Sequence, residues 1–160
     1  MTGQADSPYA ERPNRFPLPP LIFLGSLALG YGLNALAPLA LPLPILFKAA
    51  GALALGAGLA LILWASSALS RAGTAVLPHH AARRLVTAGP FAWSRNPIYL
   101  GEALIIAGFG GVEGAAAYLV AAAVFVLAMT HFAVLREEAH LAARFGPAWE
   151  AYAGRVRRWA

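Results

Sequence analysis

Four apolar stretches alternate with polar or proline-rich ones along the chain, and their lengths predict helices. Residues 1–17 are polar, rich in proline, and end in Arg12, Arg15, Phe16 and Pro17, which predicts a flexible arm. From Leu21 to Ala37 runs LIFLGSLALGYGLNALA, a stretch that rises about 26 Å as a helix, just enough for the hydrocarbon core of a bilayer. Arg12, Arg15 and the Ala35-Leu36-Ala37 triplet also resemble a signal peptide; Asp6, Glu11 and the apolar run that follows weigh against that reading. The link PLALPLP at 38–44 breaks the helix and turns the chain. A second span is expected from Ile45 to about Leu69, with Lys48 close enough to its start for the ammonium to reach the interface. Ala50, Ala54 and Gly58, four residues apart, predict the face on which a neighbouring helix packs closely. A third, shorter run from Ile98 to Phe109 ends in Gly110-Gly111-Val112-Glu113-Gly114, which reads as a tight turn, and a fourth span from Ala115 to about Leu135 completes a hairpin.

Composition agrees with this pattern. Of 160 residues, 59% are hydrophobic and 12% charged, too little polar surface for a water-exposed shell. The expected fold is an all-α, multi-pass integral membrane bundle of about four helices plus an amphipathic helical tail on the cytoplasmic side. Residues 18–160 are expected to form one domain. The absence of cysteine excludes disulfides, thiol nucleophiles and cysteine–zinc sites. The net charge of +5 goes with no nucleic-acid-binding motif, so a membrane face accounts for it better than RNA or DNA.

Loop charges set the orientation. Arg71, Arg83, Arg84 and Arg95 fall in 71–97 with no acid between them, and the tail from Arg136 holds five arginines, whereas the turns at 38–44 and 110–114 have neither lysine nor arginine. The positive-inside rule then places both termini and the long loop in the cytoplasm. In the tail, Leu141, Phe145, Trp149, Tyr152 and Val156 recur at three- and four-residue steps, and Gly146-Pro147 should divide it into two short amphipathic helices at the interface.

The segment RRLVTAGPFAWSRNPIYLGE at 83–102 carries the candidate chemistry. Asn96 is a good helix N-cap and Pro97 a good first residue. The free amides of that helix start, beside Arg95, suit a carboxylate or phosphate, although a capped helix with an arginine at lipid headgroups explains the same residues. Glu102 lies one turn inside the third span, where an unpaired carboxylate is costly, with Tyr99 three residues before it. Glu137-Glu138 fits either a site or a solvated helix start. His79-His80 reads as an exposed loop pair, and His131 and His140 lack ligand spacing, so no metal is expected. Trp64, Trp93, Trp149 and Trp159 read as interface belts and packing.

LVTAGPFAWSRNPIYLG followed, after a hairpin, by REEAHLAARFGPAWEAYAGRVRRW resembles the isoprenylcysteine carboxyl methyltransferase family and, more broadly, integral membrane methyltransferases that include phospholipid N-methyltransferases. The resemblance covers about residues 71–160, and it implies that this stretch is the cofactor-binding half of the domain. It implies S-adenosylmethionine bound at the cytosolic face, and a lipophilic or prenylated acceptor entering from the bilayer. Residue by residue, it implies that Leu85, Val86, Gly89 and Phe91 lie along the cofactor. Arg95, Pro97 and Tyr99 match an arginine–histidine–proline–x–tyrosine motif, and Glu137 and Glu138 match an acidic pair. Asn96 replaces the motif's histidine, and Arg83 stands where a histidine often precedes the leucine–valine pair. An asparagine still hydrogen-bonds, so cofactor binding tolerates this change better than a role that needs imidazole.

A sulfonium methyl donor asks for alignment and desolvation more than for acid–base machinery when the acceptor is a carboxylate. Arg95, Tyr99 and Glu102 are then the catalytic candidates. Arg95 would hold a carboxylate, Tyr99 or Phe91 would place a ring near the sulfonium, and Glu137 or Glu138 would take the cofactor's ammonium or ribose. Carboxyl O-methylation is the expected reaction. A phospholipid amine acceptor would instead need a base, for which Glu102 or a histidine is available. Two further readings are an NADPH-dependent sterol-type reductase, on the strength of Asn96-Pro97-x-Tyr99 and Gly101-Glu102, and a non-enzymatic membrane adaptor binding partners and anionic lipids.

Overall fold

Among the described residues, four helices start where the sequence supplies a proline. In the computed structural model, which describes residues 18–42, 44–74 and 82–160, α1 spans Leu18–Leu36 with Pro19 and Pro20 in its first turn, α2 spans Pro44–Arg71, and α3 spans Pro97–Glu113. Proline is harmless there because the first amides of a helix have no intrahelical acceptor. Next, α4 spans Ala117–Met129, a π-helical turn Thr130–Val134 follows, and α5 spans Leu135–Phe145. Finally, α6 covers Pro147–Ala153. The described residues are all-helical apart from one isolated bridge. Residues 1–17 and the His79-His80 pair lie outside the described residues.

Among the described residues, three helices are long and apolar enough to cross a membrane: Leu18–Leu36, Ile45–Arg71 and Ala117–Phe145. Their large side chains, among them Leu24, Leu53, Leu63 and Leu127, stand outward, as an apolar solvent requires. The third run, at 17 residues, is longer than the sequence suggests. Gly110 and Gly111 belong to α3 and let neighbours in: a Cβ on Gly111 would meet the Phe47 carbonyl at 2.6 Å, and one on Gly110 would meet Tyr118 at 2.9 Å. The turn falls at Gly114, whose φ of +69° suits glycine.

α2 and α3 form an antiparallel pair so close that their glycines touch backbone. A Cβ on Gly51 would lie 2.6 Å from the Gly108 carbonyl oxygen, and one on Gly58 2.6 Å from that of Gly101. The contact line is thus Gly51, Gly58 and the fully buried Ala65, at spacing seven, with Leu55 and Ile62 packed between. The expected Ala50/Ala54/Gly58 stripe is corrected accordingly: only Gly58 is on the line, and Ala50 is exposed. Glycines 101 and 108, also seven apart, select this register.

α4 packs on α3 and α1 packs on α4. Phe23 meets Phe125 edge-on at 6.2 Å, and the core gathers Ile106, Ala121, Phe125, Met129 and Ala133. At one end of the bundle the α1–α2 link pairs with the α3–α4 turn, the Leu41 amide donating to Gly114 at 2.8 Å and the Ala116 amide to Leu39 at 2.9 Å. At the other end lie the 82–96 segment, α5, α6 and residues 155–160.

The backbone of the tail departs from expectation. Gly146, at φ +49° and ψ −124°, does separate α5 from α6, but α5 continues the helix of α4 and does not start a separate interfacial helix. The joint is the π turn. One residue inserted into a helix rotates everything after it by about 100°; here this turns Glu137 and Glu138 toward α3. Nothing in the sequence announces it.

Candidate active site

The loop before α3 is held by chain far along the sequence. The Arg95 amide donates to the Arg157 carbonyl at 3.0 Å, and the Arg158 carbonyl accepts from the Asn96 side-chain amide at 3.0 Å and from the Ser94 hydroxyl at 3.3 Å. The expectation that Asn96 caps α3 with its side chain is therefore corrected. Asn96 sits at the N-cap and its carbonyl takes the first helical bond from Leu100 at 2.9 Å, but its side chain makes no capping bond and is spent on Arg158. Pro97 is the first residue of α3, as expected.

This loop delivers Arg95 to the acidic pair of α5. Arg95 Nη1 lies 3.2 Å from Glu138 Oε1, and its guanidinium stands 5.8 Å over the ring of Trp149. Arg158 grips the same carboxylate with both prongs, Nε to Oε1 at 2.9 Å and Nη2 to Oε2 at 2.8 Å. The bidentate bond from Glu138 raises the pKa of the Arg158 guanidinium against the opposing effect of burial. Next door, the buried Tyr99 hydroxyl donates to Glu137 Oε1 at 2.7 Å. Helical spacing puts Glu102 on the same face as Tyr99, close enough to Tyr99 and Glu137 for the three groups to interact.

Arg95, Tyr99, Glu102, Glu137 and Glu138 thus meet in one cluster, although about 40 residues separate the two halves. Among the described residues, two polar side-chain atoms are buried with no hydrogen-bond partner, Arg95 Nε and Glu102 Oε2. One is a cationic donor and the other an acceptor. Orphans of this kind carry a penalty of about 1–3 kcal/mol each unless a ligand takes them up.

Of the other candidates, only Phe91 is tied to the cluster's surroundings, through Tyr152. Phe91 lies in the 3₁₀ turn Gly89–Ala92, where its carbonyl accepts the Tyr152 hydroxyl at 2.8 Å. Burial pushes that hydroxyl up to about 12, with the Arg95 cation pulling the other way. Gly89 rests against the Trp64 indole of α2, 3.6 Å from where its Cβ would be. Leu85 and Val86 are half-buried in the segment before the turn, and Arg83 is exposed, with its amide bonded to Thr74 Oγ1 at 2.9 Å.

Sequence reasoning missed Arg158, Ser94, Thr130 and the site-facing role of Trp149 and Tyr152. The last two, expected on a membrane-surface stripe, are 6% and 3% exposed and face protein. Trp159 donates to Thr130 Oγ1 at 3.2 Å, so the segment after α6 also reaches the π turn. His140 is buried and accepts the Ala82 amide at 3.4 Å.

A family model described as phospholipid methyltransferase matches residues 46–148, well over half of the chain and both halves of the cluster. No curated protein and no solved structure matches it.

Proposed function

The chain belongs to the phospholipid methyltransferase family, and on that premise we propose that it moves a methyl group from S-adenosylmethionine to a lipophilic acceptor at the cytoplasmic face of a four-span membrane bundle. Family membership favours methyl transfer over the reductase and adaptor readings. The observation that carries the proposal is the pair of orphaned atoms, Arg95 Nε and Glu102 Oε2. They suit a ligand bearing both a carboxylate and positive charge, and S-adenosylmethionine has a carboxylate, an ammonium and a sulfonium. When bound, it supplies a methyl already activated for displacement by a nucleophile.

Arg95 holds the carboxylate. Trp149 and Glu138 fix the Arg95 side chain from two sides, so binding costs little reordering. Leu85, Val86, Gly89 and Phe91 would lie along the cofactor as the family resemblance implies, and Tyr99 keeps Glu137 oriented through its 2.7 Å bond.

The acceptor the site supports best is an amine of the phospholipid headgroup type. Glu102 and Glu137 put two interacting carboxyl groups side by side in the cluster, an arrangement that favours an ammonium over a carboxylate. An ammonium must also give up its proton before its nitrogen can attack, and Glu137, the carboxyl of this pair not assigned to the cofactor's positive charge and held by Tyr99 through Oε1, would accept it. The carboxyl O-methylation expected from the sequence is the second reading, supported by Arg95, which could hold an acceptor carboxylate instead.

One experiment separates the two. The purified protein is incubated with methyl-labelled S-adenosylmethionine and a native lipid extract, and the labelled lipid is treated with alkali. N-methyl label survives, whereas a methyl ester releases labelled methanol. Alkali-stable label in an amine headgroup is expected, volatile label would establish the carboxyl reading, and no labelled lipid would defeat both.

A further inference from the structure

Two arginines compete for one carboxylate, and the competition decides what is left for a ligand. Arg158 occupies both oxygens of Glu138 in a fork, at 2.9 and 2.8 Å, while Arg95 reaches only Oε1, through Nη1 at 3.2 Å. A carboxylate accepts one guanidinium fork in its plane and holds a second cation only end-on. Arg95 therefore keeps its Nε edge unspent, buried and without a partner. The backbone around Arg158 makes this arrangement stiff, because its carbonyl takes Asn96 and Ser94, the preceding carbonyl takes the Arg95 amide, and Trp159 is tied to Thr130.

We propose that Arg158 is a positioning residue of this site: by saturating Glu138 it prevents Arg95 from closing its own fork on that carboxylate, and so keeps the Nε edge of Arg95 available to a ligand carboxylate. It touches no reacting atom. Glu138, on this account, is committed to protein and leaves Glu137 and Glu102 to face ligands. The inference rests on the methyltransferase reading only for the identity of the carboxylate, which belongs to S-adenosylmethionine.

The test uses the full chain in lipid nanodiscs, Arg95→Lys for assignment, and four test variants: Arg158→Gln, Arg158→Lys, Glu138→Gln and the double Arg158→Gln/Glu138→Gln. The first readout needs no ligand. The ¹⁵N–¹H resonance of Arg95 Nε, identified by its loss in Arg95→Lys, shifts in Arg158→Gln as Arg95 turns its fork onto Glu138, shifts less in Arg158→Lys, and returns toward the wild-type position in the double variant. The second readout is equilibrium binding of S-adenosylmethionine. Arg158→Gln weakens it about tenfold, and the double variant recovers most of the loss, a coupling of the size seen between residues sharing a partner. An anchoring role alone predicts a double variant no better than Arg158→Gln. That result, or an Arg95 resonance indifferent to Arg158→Gln, overturns the proposal. Wild-type protein that binds no S-adenosylmethionine, with the resonance moving as stated, would defeat the functional reading and leave the arginine competition standing.

Discussion

Adding a single methyl group at Gly58 tests how the fold places the site. A Cβ there would lie 2.6 Å from the Gly101 carbonyl oxygen and 3.0 Å from Ile105 Cγ1. The first neighbour is backbone and cannot swing aside, so α2 and α3 must part by about 0.8 Å to restore the 3.4 Å of ordinary contact. Overpacking of this kind costs about 1–3 kcal/mol, offset by up to about 1 kcal/mol from the better helix propensity of alanine. Gly56, two residues away on the same helix, has nothing within 4 Å of its Cβ position, so Gly56→Ala collects the propensity gain alone. Gly58→Ala should therefore melt below wild type in detergent and Gly56→Ala at or above it. Because α3 carries Tyr99 and Glu102, a shift approaching 1 Å should also lower methyl transfer, by up to about 100-fold. Equal melting of the two variants would refute the close-packed α2–α3 register.

Three further outcomes are expected. Tyr99→Phe removes the 2.7 Å donor to Glu137 and should cost about 1.5–3 kcal/mol in thermal or denaturant unfolding, together with a fall in kcat. Asn96→Asp replaces the donor to the Arg158 carbonyl by an acceptor, so it should destabilise by about 1–3 kcal/mol while Asn96→Gln does so less, read by the same unfolding assay. The Tyr152 hydroxyl, held near 12 when folded against about 10 in an unfolded chain, contributes stability fully present below pH 10 and lost as pH rises toward 12. Tyr152→Phe should flatten that part of the stability–pH curve.

What the sequence made legible follows how local each signal is. The proline start of α3 and the break at Gly146-Pro147 are written within a few residues and appear where expected, and the apolar runs mark the helices, although α3 continues through Gly110 and Gly111. The partnership of Arg95 with Glu138, and of Tyr99 with the acidic pair, was reachable only through resemblance, since no short-range rule joins residues about 40 apart. The small-residue stripe was misread by one position because α2 is crowded with alanine and glycine, and the choice among its faces is made by Gly101 and Gly108 on the partner helix. Arg158 hid among five tail arginines that all looked alike as interfacial charge. The π turn left no trace, for its extra residue is ordinary and its effect is rotation.

The central claim is that Arg95 and Glu102, brought together at the start of α3 beside α5, receive a sulfonium nucleotide. Its most direct measurement is equilibrium binding of labelled S-adenosylmethionine to the purified protein, beside Arg95→Gln and Glu102→Gln. Saturable binding to wild type, weakened at least about tenfold by either change, a loss of about 1.4 kcal/mol, is the predicted result. Binding that is absent from wild type, or undiminished in both variants, would contradict it.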